Sequence, residues 1–185
     1  MSQRRNAEET RELIFAACSR ILQREGLTSL TLDAVAQEAG LSKGGLLYHF
    51  PSKVAMIESL FQYHIDRFNQ RLDLLIADEE KGVGGWLRAY AKASIEQITD
   101  PDKASLFASL FAAGERYPTV LAIMKRSYDE WQQKVESSEL PAGVAMLVRL
   151  AVDGLWFSEM YQYAPPNLEQ RAAVLQMITQ LTERP

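Results

Sequence analysis

The stretch Leu30–Lys53, LTLDAVAQEAGLSKGGLLYHFPSK, decides the fold. Thr31 suits the N-cap of a short helix whose apolar positions are Leu32, Val35, Ala36 and Ala39. Gly40 tolerates a positive φ, so the chain can turn there without a Cβ clash. Ser42 caps a second short helix, which must stop near Phe50 because Pro51 pushes the preceding residue out of the α region. Two short helices joined by a turn of about 3–4 residues form a helix-turn-helix. A pair this small cannot enclose a core, so its value lies in presenting the second helix outward.

That second helix is not written for stability alone. Lys43 opposes the helix dipole in the first turn, and Gly44 and Gly45 each cost about 1 kcal/mol against Ala. Bare backbone beside a cation suits close approach to an anion, and the DNA phosphate backbone is the obvious candidate. The competing reading is a small-residue packing turn with a solvated lysine.

The run AGLSKGGLLYHFPSK closely resembles the DNA-binding signature of the tetracycline-repressor-like (TetR/AcrR) family of bacterial regulators. Thr31, Ala36, Gly40, Ser42-Lys43-Gly44, Tyr48-His49-Phe50 and Lys53 recur together and in order. The family usually has Tyr where this chain has Leu47. The resemblance implies a homodimeric repressor that inserts the Ser42–His49 helix into the major groove of palindromic operator DNA. In that reading Thr31, Ser42, Tyr48, His49 and Lys53 hold phosphate, while Lys43, Gly44, Gly45 and Leu47 face base edges. It also implies a small-molecule pocket in the C-terminal body.

Composition sets outer bounds. The 185 residues are 47% hydrophobic and carry a net charge of −4, which describes a globular chain with a real core. The negative charge predicts DNA binding through a few placed contacts rather than a broad basic patch. One cysteine, Cys18, excludes an intrachain disulfide and fits a reducing cytosol. Neither a signal peptide nor an apolar run of about 20 residues is evident, so a cytoplasmic, non-membrane chain is expected.

The remainder reads as helices throughout. Met1 to Asn6 is a polar start where Arg4 and Arg5 could touch DNA backbone; from Ala7 to Glu25 a stripe of Leu13, Ile14, Ala17, Cys18, Ile21 and Leu22 predicts a helix ended by Gly26. Ser52 caps a long helix carrying Ile57, Leu60, Phe61, Phe68 and Leu72 to about Glu80, a lever between head and body. The glycines of Glu80–Gly85 interrupt it. Further helices follow from Trp86, from Pro101 and from Pro118, the prolines standing at first helical positions. Val144–Tyr163 is apolar nearly all round and must be covered on two sides. Asn167 and Gln170 form a capping pair for the last helix. These last two helices predict a four-helix dimer interface with Leu147, Ala151, Leu155, Leu175 and Ile178 at its centre.

An enzyme would need converging acids, bases or metal ligands. His49 and His64 are the only histidines and have no ligand spacing; no serine stands in a nucleophile elbow. His64 reads as a packing residue on the lever. A ligand pocket is the better use of Trp86, Tyr90, Phe107, Phe111, Met124, Tyr128, Trp131, Trp156 and Met160, although such residues are individually more often core. Asp153 either pairs with Arg149 one turn away or anchors a ligand with Glu115, Arg116 or Glu159.

The expectation is therefore an all-α chain of about nine helices. Residues 1–51 form a three-helix DNA-binding head and 52–185 a ligand-binding and dimerisation body. No enzyme activity, cofactor or metal is expected. The partners are operator DNA, a second copy and a small apolar or aromatic effector that releases the repressor. The rival is a helical protein-interaction adaptor that does not bind DNA.

Overall fold

The computed structural model describes residues 2–78 and 82–183, with side chains from Ala7 onward. The expectations for Arg4, Arg5, Glu80 and Lys81 lie outside the described side chains. Nine helices and no strand occur among the described residues: α1 Ser2–Glu25, α2 Leu32–Glu38, α3 Lys43–His49, α4 Lys53–Asp78, α5 Gly85–Ile98, α6 Pro101–Arg116, α7 Pro118–Glu136, α8 Ala142–Tyr161 and α9 Leu168–Glu183. The all-α expectation is met. The first helix begins at Ser2 rather than Ala7, and α6 runs on through Gly114.

The chain gathers into two units that are not contiguous in sequence. The first holds Met1–His64 and Ser105–Met124, the second Ile65–Ala104 and Lys125–Pro185. The sequence reading divides the chain once, at 51/52. The stretch Ser105–Met124 groups instead with the N-terminal residues.

In the first unit α1 buries Ile14, Phe15, Ala17, Cys18, Ile21 and Leu22 with Leu30, Val35, Leu46, Phe50, Ile57, Leu60 and Phe61. The α1 stripe is corrected by one residue: Leu13 is 56% exposed and Phe15 takes its place. Phe15 meets both Phe50 and Tyr63, and Phe61 meets Phe111 edge-on. Burial pushes the Cys18 thiol up to about 12, so it packs as a small apolar residue. His64 packs here, its ring against Phe107 and its Nε2 3.4 Å from the Ser19 hydroxyl.

In the second unit α5, α8 and α9 pack on one another around Leu87, Tyr90, Ala91, Val148, Val152 and Ile178. The Arg88 guanidinium, itself buried, donates to the carbonyls of Val83 and Thr182. It thereby satisfies one acceptor that the end of α9 leaves open and one in the turn before α5. Gly84 makes this approach possible. Its φ is +79°, and a Cβ placed there would lie 2.7 Å from the Thr182 carbonyl oxygen and 2.8 Å from the Thr182 Cβ. Gly84→Ala should therefore lose about 1–3 kcal/mol of stability from strain and clash together. Urea unfolding checks this; an unchanged midpoint would show that the α9 end moves away freely.

Candidate nucleic-acid interface

Local chemistry builds the helix-turn-helix residue by residue. The Thr31 hydroxyl accepts the Ala34 N–H at 3.1 Å and starts α2. That helix ends in a paired-hydrogen-bond cap: Leu41 N–H reaches the Ala36 carbonyl at 2.9 Å and Gly40 N–H the Gln37 carbonyl at 3.1 Å. The cap requires a left-handed residue, and Gly40 supplies it at φ +68°. The Ser42 hydroxyl then accepts the Gly45 N–H at 3.0 Å and starts α3. Phe50, extended at φ −137°, ends α3 before Pro51. Ser52 caps α4 through the Ala55 N–H.

Burial decides which way α3 faces. Leu46 is fully covered and Phe50 nearly so, which fixes one side of the helix in the head. Lys43, Gly44, Leu47 and Tyr48 are exposed, Tyr48 at 85%, and its ring stands edge-on to that of the half-buried His49. Thr31 and Ser42 are exposed on the caps, and Gly45 is half-buried against the Ser42 hydroxyl. Ser42 to His49 of the expected DNA-binding set thus lie on α3 and its N-cap, whereas Thr31 caps α2 and Lys53 opens α4.

Charge is distributed less simply. The Lys43 ammonium lies 2.9 and 3.0 Å from the two carboxylate oxygens of Asp33, across the turn. Ten residues of separation hide this pair from any helical spacing rule. Lys53 is half-buried, and its ammonium donates to the Leu27 carbonyl at 3.4 Å. Burial lowers its pKa, and the nearby Arg116 charge lowers it further. A phosphate would therefore compete with an existing partner there. Arg11 on α1 adds a cation to this end of the head. Its guanidinium lies 4.8 Å from the Phe50 ring centroid, an ordered cation at the end of α3. Between α1 and the end of α2, Glu38 accepts from Arg20 at 2.6 Å and lies 3.4 Å from Arg24. The Arg20 hydrogen bond leads the causes that hold its carboxyl below the ordinary range.

The expected pocket residues fall in both units. Phe107, Phe111 and Met124 belong to the first, where Phe107 and Phe111 pack on His64 and Phe61. In the second unit Trp86 stacks on Tyr90 at 5.1 Å, and Trp131 meets Phe68, Tyr90 and Tyr128 at 5.2, 6.0 and 5.3 Å. Trp156 and Met160 on α8 are half-buried. Asp153 stands beside these rings: the Tyr90 hydroxyl donates to it at 3.5 Å, and Arg149 lies 3.5 Å away. Arg149 also donates to Gln132 and lies over the Tyr128 ring. Of the other anchors considered, Glu159 is taken by Arg171, and Glu115 and Arg116 belong to the first unit. No group of three or more His, Cys, Asp or Glu able to hold a metal occurs among the described residues.

The expected dimer residues divide by burial. Leu155 and Ile178 are covered within their own chain, so they serve the core of the second unit. Ala151 and Leu175 are half-buried and Leu147 is exposed. The outward side of α8 carries Leu147, Leu150, Gly154, Phe157 and Tyr161, alternately three and four residues apart.

Two outcomes follow from this geometry. Leu46→Ala should cost about 2–5 kcal/mol, whereas Leu47→Ala should stay within about 0.5 kcal/mol, both read by chemical denaturation; equal losses would place both side chains in the core. Burial raises the Asp153 pKa more than Arg149 and Tyr90 lower it. The folded state therefore holds this proton longer than the unfolded chain, and the group penalises folding as pH rises from the ordinary aspartate range through the raised value. Asp153→Asn should remove that part of the stability decline between acid and neutral pH, measured as the difference between two stability–pH curves. Parallel curves would contradict it.

Two family models cover this chain. The description "Bacterial regulatory proteins, tetR family" matches residues 14–60, and "Tetracyclin repressor-like, C-terminal domain" matches residues 84–183. Nucleoid occlusion factor SlmA of Edwardsiella ictaluri is 29% identical over 82 residues, 43% of this chain and 41% of that protein. The match therefore spans only about two-fifths of that relative's length. A transcriptional regulator from Rhodococcus sp. superposes with a TM-score of 0.75 at 21% identity, covering 92% of this chain and 95% of that one. The multidrug binding protein EbrR, solved with imidazole, gives a TM-score of 0.66 at 17% identity, covering 96% and 92%. With a helix-turn-helix whose capped α3 faces outward, and a C-terminal family model matched over residues 84–183, more than half of the chain, the chain belongs to the tetracycline-repressor-like family of bacterial transcriptional regulators.

Proposed function

We propose that this regulator is a homodimeric repressor that binds a palindromic operator and releases it on taking up a small apolar or aromatic effector. The observation that carries the DNA-binding half is the division of α3 into a buried anchor, Leu46, and an exposed surface of Lys43, Gly44, Leu47 and Tyr48. An α-helix presented in this way fits the major groove. Thr31, Ser42, Tyr48 and His49 hold phosphate in this reading. Lys43, Gly44, Gly45 and Leu47 face base edges, and Lys53 reaches phosphate only by leaving the Leu27 carbonyl. Glycines offer no side chain to read a base, so DNA shape carries part of the recognition.

Homodimerisation is supported by the exposed stripe on α8 and by Met177 on α9. Gly154 interrupts the stripe with open space around its Cβ direction, which allows close helix approach. The effector reading rests on the linked rings of Trp86, Tyr90, Tyr128 and Trp131 beside the Asp153–Arg149 pair. An effector can release DNA only through unequal affinity for two conformations. The reading includes a cytoplasmic site of action; no helix among the described residues is long and apolar enough to cross a membrane.

Selection of bound duplexes from a random pool tests the proposal. The expected product is one enriched sequence with inverted half-sites about 34–36 Å apart, or wider on distorted DNA. Enrichment of a single half-site would overturn the dimer. No enrichment at any salt concentration would overturn DNA recognition and favour the protein-interaction adaptor.

A further inference from the structure

We infer that Asp33 is a positioning residue for DNA discrimination: its carboxylate holds the Lys43 ammonium so that it serves a neutral base-edge acceptor and is withheld from phosphate. The inference rests on the DNA-binding reading above. Lys43 is the only lysine or arginine in α3, and it is exposed on the surface that α3 presents. Asp33 stands in the first turn of α2, and both its oxygens lie within 3.0 Å of the ammonium.

Both side chains are more than half exposed, so the pair contributes little to the fold. Its effect falls on what Lys43 can contact. Non-specific attraction grows with the number of phosphates that free cations neutralise. A lysine already neutralised by a carboxylate adds almost nothing to that count. Moving Lys43 onto a phosphate would bring the Asp33 carboxylate up against a second anion, whether the ammonium is shared or given up. A guanine edge is different, because O6 and N7 are uncharged acceptors. An ammonium has three protons, so it can give one to the base and keep the others on Asp33. The pair thus penalises phosphate contact and tolerates base contact.

Fluorescence anisotropy over a salt series, with the selected operator and a shuffled duplex of equal length, tests the assignment. Asp33→Asn should tighten binding to the shuffled duplex about two- to fivefold and steepen its salt slope by about 0.9, with a smaller change on the operator. Asp33→Glu should restore the wild-type ratio. Lys43→Ala strands the Asp33 charge and should weaken both complexes, the operator more, whereas the double variant, neutral there like the wild-type pair, should bind the shuffled duplex as wild type does and the operator more weakly. An equal gain from Asp33→Asn on both duplexes, or a double variant that binds the operator as tightly as wild type, would overturn the role of Asp33. A wild-type protein that binds neither duplex would overturn the DNA-binding reading itself, which is a separate result.

Discussion

The burial of Leu46 and Phe50 is the contact on which the rest of the head depends. A seven-residue helix has no independent stability in water, where isolated helices shorter than about 12–15 residues are marginal. Two glycines in its first half cost roughly 1 kcal/mol each. Burying two large apolar side chains contributes roughly 1.5–3 kcal/mol apiece, which outweighs that cost. The Ser42 cap adds about 1 kcal/mol. Because α3 is held from one side only, its other side is free to be chosen for recognition rather than stability. Glycine at positions 44 and 45 and an exposed aromatic at 48 reflect that freedom.

The same logic explains α8. A helix apolar all round satisfies two obligations, and its residues sort between them. Ala145, Val148, Val152 and Leu155 face the core of their own unit, while Leu147, Leu150, Phe157 and Tyr161 remain exposed. Polar chemistry inside that unit is concentrated at a few points. Arg88 joins the start of α5 to the end of α9, Glu159 joins Arg171, and Asp153 is held between Tyr90 and Arg149, where burial raises its pKa.

Much of this was legible in the residue order. Thr31, Gly40, Ser42 and Pro51 each impose one local geometry, and together they leave the helix-turn-helix as the one outcome. The Asn167–Gln170 capping pair also forms as its spacing predicts, with reciprocal hydrogen bonds of 2.9 Å. What could not be read was anything that depends on distant segments meeting. Nothing near Asp33 marks its carboxylate as the partner of Lys43. Lys53 carries the charge expected at a phosphate site, yet its environment is set by Leu27 and Arg116, far away in sequence. Periodicity marks Leu155 on α8 and Ile178 on α9 as apolar positions, but it cannot tell whether an apolar face meets its own chain or another. The grouping of Ser105–Met124 with the head has the same origin, since Phe107 and Phe111 reach His64 and Phe61 through packing alone.

The central claim is that α3 is the surface that meets DNA. Amide hydrogen exchange with and without the selected operator duplex tests it most directly. Slowed exchange centred on residues 42–50 and the N-terminal turn of α2 is the result this account predicts. Unchanged exchange there, with protection confined to the second unit, would contradict it.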